Sequence, residues 1–243
     1  MDPRDNHEYQ AALDYLFGRI NYERAPQMPY RHSELKLDRM ARLLELLGSP
    51  QQQLRIVHIA GTKGKGSTTQ ILGSILTANG LRTGRFTSPH LHHVEERFSV
   101  DDQLCEPQAL VSLMERIKPA VRQLDEADTS DRGPTYFEIL TAVALLHFVE
   151  SNVDVAILEV GLGGRLDSTN VCVPLVSVIT SISFDHMRQL GNTLVEITGE
   201  KAGIIKPGVP VVSGVTQAEA QQVVRDVAQR NAAHLRQLGV DFD

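Results

Sequence analysis

The chain has 243 residues, 42% of them hydrophobic and 22% charged, with no Trp and a formal net charge of −6. That is room for one large α/β domain and a small appendage, with a core drawn mainly from Leu, Val, Ile and Ala. The negative balance gives no electrostatic reason to expect nucleic acid or an anionic membrane as partner. No apolar run reaches the ~20 residues that span a bilayer, the acidic N-terminus does not read as a secretory signal, and two cysteines, Cys105 and Cys172, suit a reducing cytoplasm.

The first 50 residues read as a helical segment packed on the rest. Residues 7–20 place Ala11, Leu13, Leu16, Phe17 and Ile20 at helical spacing, residues 25–30 carry two prolines and read as loop, and Ser33 is positioned to cap a helix running to Leu47, stopped by Gly48-Ser49-Pro50. A buried strand is expected over 55–60, then a Gly-rich turn and a helix over 67–79 closed by Gly80. Further expectations are a strand over 81–87, an amphipathic helix over 106–128 broken near Pro119, and an apolar helix over 137–151. Beyond them follow strands over 153–160 and 175–182, a helix over 193–204, a strand over 209–213, and a helix over 218–238 closed by Gly239. Strands alternating with helices predict a mostly parallel sheet flanked by helices on both faces, with ligands bound at the carboxyl ends of the strands.

The turn Gly61-Thr62-Lys63-Gly64-Lys65-Gly66-Ser67 carries the strongest chemical signal. Between a strand and a helix, its amide groups point inward and the helix N-terminus adds partial positive charge, so the segment is suited to phosphate. Lys65 is placed to neutralise β/γ-phosphate charge. The ordinary phosphate loop reads G-x-x-x-x-G-K-[ST]; here Gly66 follows the lysine, so the usual magnesium-binding hydroxyl is missing. The alternative is a Gly-rich connection without ligand, against which three glycines and two lysines weigh. Lys63 taken alone fits a solvated position as well. Glu159 ends an apolar strand, where a buried acid is costly without a cation; its alternative is a partner side chain at the sheet edge.

Residues 60–68, A-G-T-K-G-K-G-S-T, resemble the phosphate loop of the folylpolyglutamate synthase/dihydrofolate synthase family, part of the wider Mur-ligase group. Thr87-Ser88-Pro89-His90-Leu91, Thr135-Tyr136-Phe137-Glu138, the run E-V-G-L-G-G-R-L-D-S-T-N over 159–170, Asp185-His186, and residues 190–193 and 200–204 follow in that family's order. Two segments depart from its pattern. These are Glu96-Arg97-Phe98-Ser99-Val100 and Glu34-Leu35-Lys36-Leu37, and both bear on the pterin pocket.

The resemblance implies a P-loop NTPase-like, Mur-ligase central domain over residues 51–243, followed in family members by a second α/β domain beyond Asp243. It implies ATP on Lys63, Gly64, Lys65, Gly66 and Ser67, and Mg2+ on Ser88, Glu159 and His186, with Asp185 orienting the imidazole. It also implies a carbamylated Lys201 supporting that site. Read alone, Ser88 is a turn residue, His186 a structural histidine and Lys201 a surface helical lysine. The pterin side would involve Glu34, Leu35, Lys36, Leu37, Thr135, Tyr136, Phe137, Glu138, Leu166, Asp167 and Ser168. The implied activity of the parent enzyme is ATP-dependent amide formation between L-glutamate and dihydropteroate or a (poly)glutamyl folate through an acyl phosphate, in a cytoplasmic monomer. The competing readings are another Mur-type amino-acid ligase and a non-catalytic nucleotide-binding module.

Overall fold

The computed structural model describes residues 3–23, 37–127 and 133–243. Glu34, Leu35, Lys36 and the expected cap Ser33 lie outside the described residues. The elements in chain order are α1 (His7–Phe17), α2 (Leu37–Leu46), β1 (Ile56–Ala60), α3 (Lys65–Ala78), β2 (Thr83–Phe86), β3 (Phe98–Val100), β4 (Gln103–Leu104), α4 (Pro107–Ala127), α5 (Tyr136–Glu150), β5 (Val155–Glu159), β6 (Val176–Ile179), α6 (Met187–Leu190), α7 (Leu194–Ala202), β7 (Val211–Ser213), α8 (Ala218–Arg230) and β8 (Leu235–Gln237). One sheet runs β4-β3-β2-β5-β1-β6-β7-β8. All neighbours from β2 to β8 are parallel; β3 and β4 add an antiparallel edge.

The period-two alternation of the strands sorts side chains to two faces. Ile56, Ala156, Leu158 and Phe86 enter one core with α1, α2, α4 and α5. Val57, Ile59, Val155 and Ile157 enter another beneath Leu72 and Leu76 of α3. A third core joins Ile179 and Val211 to α7 and α8. The N-terminal helices belong to the first of these, through Tyr9, Leu16, Met40, Leu43 and Leu44.

Two expectations are corrected, and one feature had not been expected. Pro119 does not break the helix: α4 is continuous from Pro107 to Ala127. The proline removes one backbone hydrogen bond, but Leu113, Ile117, Ala120, Val121 and Leu124 on both sides of it are buried on one stripe, and that packing holds the two halves in line. The last helix stops at Arg230, not near Leu238. Ala232 takes φ 49°, and the Ala233 amide donates back to the Ala228 carbonyl, which closes the helix and frees residues 235–237 to pair with β7. The antiparallel edge went unexpected because its turn, Asp101-Asp102, has φ of 49° and 64° with no glycine to announce it.

Candidate functional site

β1 lies between β5 and β6 and the chain leaves it toward α3, so the carboxyl ends of three central strands face one crevice. The loop after β1 turns at Gly61 (φ 149°) and Gly64 (φ 84°), and α3 begins at Lys65. The loop after β6 straps it in place. The Thr62 amide donates to the Ser181 carbonyl (2.7 Å), and the Thr180 and Ser181 hydroxyls both donate to the Lys63 carbonyl (2.8 and 2.9 Å). With those carbonyls engaged from outside, the amides at the start of α3 are the polar groups left to meet an anion. Lys63 is exposed and does not line the cleft, whereas Lys65 does. Gly64, Gly66 and Ser67 form the helix start.

Glu159 shares its strand face with Val155 and Ile157, the face covered by α3. Its carboxylate therefore lies under the start of that helix: a Cβ added at Gly66 would stand 3.5 Å from Glu159 Oε2. The residue is 4% exposed. Among the described residues its hydrogen bond is a long one, 3.4 Å from the Ser88 amide. Burial raises its pKa, opposed by the charge of Lys65 and by the Ser88 amide. An acid so placed, beside a serine and a lysine and thinly hydrogen-bonded, fits the demand for a hard cation. His186, at φ 45°, lines the same cleft, with Nε2 3.6 Å from Asp185 Oδ1. No cluster of three His, Cys, Asp or Glu ligands preassembles among the described residues.

Lys201 is 2% exposed and not a surface lysine. Its Nζ donates to the Gly61 carbonyl at 3.0 Å. Burial, then repulsion from Lys65, pushes its pKa down to about 8. Nothing local to residue 201 marks this burial: it stands in the last turn of an ordinary short helix.

A cleft of about 510 Å3 extends from Lys65 and Ser88 past Leu37, Thr135, Phe137, Glu138, Leu166, Asp167 and Ser168, and includes Asp185 and His186. Most of the described residues expected on the pterin side thus share one cavity with the phosphate loop. Tyr136 does not: it is buried, stacks on Phe17 with ring centroids 5.9 Å apart, and has the Arg97 guanidinium over its ring. Thr135 and Glu138 form a reciprocal cap on α5, and the Glu138 carboxylate also receives Arg39 (Nε 3.0 and 3.1 Å, Nη2 3.0 Å). Sequence reasoning missed Arg39. It also missed Arg97, which forks onto Glu23 (2.8 and 2.6 Å) and donates to His90 Nδ1 (2.8 Å), fastening the segment after Ser88 to the cleft wall. In the sequence each directly follows an acidic residue, Asp38 and Glu96, and neither position signals burial.

Residues 59–239 match the Mur ligase middle domain. The chain belongs to the Mur ligase middle-domain family. Within that family it is similar to a dihydrofolate synthase/folylpolyglutamate synthase of Bacillus subtilis, 46% identical over 231 residues, covering 95% of this chain and 51% of the relative. Among solved structures it resembles the Mycobacterium tuberculosis folylpolyglutamate synthase complexed with ADP (TM-score 0.85, 36% identity, 95% of this chain and 50% of that one). It also resembles a folylpolyglutamate synthase complex with AMPPCP and folate (TM-score 0.84, 36% identity, 94% of this chain and 53% of that one). The chain spans about half the length of these family members. No helix among the described residues is long and apolar enough to cross a membrane.

Proposed function

We propose that this Mur ligase middle domain is the ATP-binding part of an enzyme that joins L-glutamate to dihydropteroate or a (poly)glutamyl folate. The observation that carries the reading is one cleft in which Lys65 and the start of α3 stand at one end, with Ser88 and Glu159 beside them and Phe137, Leu166 and Asp167 along the wall. The likeness to a family member solved with AMPPCP and folate supports it.

An amine does not displace oxide from a carboxylate at neutral pH. ATP with Mg2+ supplies phosphoryl transfer to that carboxylate, giving an acyl phosphate that glutamate's amine attacks with loss of phosphate. The residues of this chain position and neutralise. Lys65 and the amides of residues 64–67 hold the anionic end, and Ser88, Glu159 and His186 offer the oxygen and imidazole ligands a hard cation takes. Phe137 and Leu166 supply an apolar wall for a flat heterocycle. Lys201, with a depressed pKa, takes up carbon dioxide as the neutral amine: the ammonium first gives up one proton, the nitrogen then bonds the carbon and gives up a second, and a cation has become an anion beside the loop.

Calorimetry on the chain with Mg-AMPPCP tests the binding half, with binding expected in the wild type and lost in Lys65→Ala. ATP-dependent attachment of labelled glutamate to dihydropteroate or tetrahydrofolate, measured with the chain joined to the C-terminal half of the B. subtilis relative, tests the chemistry. Nucleotide binding without attachment to either acceptor would leave the non-catalytic reading in its place, and attachment to a different carboxylate would move the assignment to another Mur-type ligase.

A further inference from the structure

A buried polar chain runs from the interior of the sheet to the cleft wall. His58, in β1, is fully buried. Its Nε2 lies 2.8 Å from Thr169 Oγ1, and its Nδ1 lies 3.8 Å from the Cys172 thiol. Thr169 Oγ1 in turn donates to Asp167 Oδ1 at 2.5 Å, an oxygen that also accepts from the Thr169 amide at 3.0 Å. The other oxygen, Oδ2, accepts from the amides of Gly161 and Leu162, each at 3.0 Å. These two amides belong to the loop that leaves β5 just beyond Glu159, and Gly161, Leu162 and Asp167 all line the cleft.

With Asp167 ionised, the proton inventory sets the direction of this chain. Four donors converge on the Asp167 carboxyl group, three of them backbone amides that cannot reverse. An ionised carboxylate accepts all four, although burial raises its pKa. The single hydroxyl proton of Thr169 is then spent on Asp167, so its oxygen must accept from His58. The imidazole therefore carries its proton on Nε2 and leaves Nδ1 to accept from Cys172. Burial and the charge of Lys206 push His58 down to about 3, so it is neutral and has only that one ring proton to give.

We propose that His58 is a positioning residue for the cleft: through the Thr169 hydroxyl it holds Asp167 as an ionised clamp on the Gly161–Leu162 backbone, and so sets the wall against which the carboxylate substrate's ring system rests. The role in substrate binding rests on the function proposed above; the direction of the chain does not. The reversed chain, with a neutral Asp167, would put the ring proton on Nδ1 facing sulfur, and the two directions differ at an observable atom.

Long-range proton–nitrogen NMR on the chain labelled at its nine histidines locates that proton, with the His58 signals assigned by their loss in His58→Gln. A protonated Nε2 and bare Nδ1 are expected; a protonated Nδ1 overturns the proposal. Two variants then test the consequence by calorimetry with folate and, separately, Mg-AMPPCP. His58→Gln keeps a donor near the Nε2 position and should bind folate as the wild type does. His58→Asn puts its donor near the Nδ1 position and should weaken folate binding by about tenfold, the effect of one lost buried hydrogen bond. Mg-AMPPCP affinity should be unchanged in both. Equal folate affinity in His58→Asn and wild type overturns the positioning role. Thr169→Val, which breaks the next link, repeats the measurement if His58→Asn does not fold. A wild type that binds no folate removes the functional reading above and the positioning role with it, while the ring-proton result still decides the direction of the chain.

Discussion

Lys65 and Lys201 converge on a single acceptor: the Gly61 carbonyl receives Lys65 Nζ at 3.2 Å and Lys201 Nζ at 3.0 Å. Lys201 is the buried one of the two, and burial first, then repulsion between two ammonium groups on one oxygen, pushes its pKa down to about 8. At pH 7.5 roughly a quarter of such an amine is neutral, against about one part in a thousand for an ordinary lysine. Incubation with carbon-13 bicarbonate should therefore give a carbamate carbon signal that Lys201→Arg abolishes. Lys65→Ala removes the smaller of the two causes, so it should raise the Lys201 pKa by part of the shift and weaken the signal. Because the folded-state pKa is depressed, this lysine costs stability below about pH 8 and ceases to as pH climbs toward the unfolded value. Denaturant midpoints should therefore rise between pH 7 and pH 10 in the wild type more than in Lys201→Met. A titration midpoint above 10 would end this account.

Gly61 is the residue that lets both lysines meet. Its φ is +149°, and a Cβ there would stand 1.9 Å from Thr180 Oγ1 and 3.2 Å from the Ser181 amide nitrogen. Gly61→Ala should cost about 2 kcal/mol or more of unfolding free energy through strain and overpacking. It should also abolish Mg-AMPPCP binding by displacing the loop. Adding Thr180→Ala relieves one contact but neither the backbone angle nor the Ser181 contact, so urea unfolding of the double variant should recover only part of the loss.

How far the sequence alone reaches follows from which signals are local. The strand–turn–helix of β1 and α3 and the parallel α/β class were readable because each is written within a few residues. The burial of Lys201, the Arg39–Glu138 pair and the strap from Thr180 to the phosphate loop join residues 99 to 140 positions apart, and nothing in a single sequence marks such pairs. The end of α8 was missed for a different reason: its left-handed residue is Ala232, where the usual signal is glycine.

Glu159 separates stability from binding. Its folded-state pKa is raised by burial, so the stability it contributes is present below the ordinary carboxylate range and is lost as pH rises through the folded value. Glu159→Gln removes that penalty. In the apo protein the variant should be at least as stable as the wild type at pH 7, with the advantage vanishing near pH 4. Its Mg2+-dependent gain in AMPPCP affinity should fall by tenfold or more, since a carboxylate facing a hard cation is replaced by a neutral amide. Thermal melts across that pH range, with calorimetry with and without Mg2+, give both readings. A destabilised apo variant would show that the carboxylate has a structural partner.

Arg39 and Glu138 are the test of how the cleft floor is held. Side-chain exposures of 9% and 7% make theirs a buried pair, and Glu138 already receives the Thr135 amide at 2.7 Å as part of the cap on α5. Arg39→Met leaves a buried carboxylate with its cap donor alone, and should cost about 3–5 kcal/mol. Glu138→Gln takes from the Arg39 guanidinium the charge it pairs with here and weakens the cap, with a cost of the same order. In the double variant the uncompensated charge is gone, and the combined loss should be clearly smaller than the sum of the two. The cycle should return a coupling of about 2 kcal/mol or more by urea denaturation. Additive losses would mean that α2 is held to α5 by its apolar stripe, Met40, Leu43 and Leu44, with the ion pair contributing no coupling.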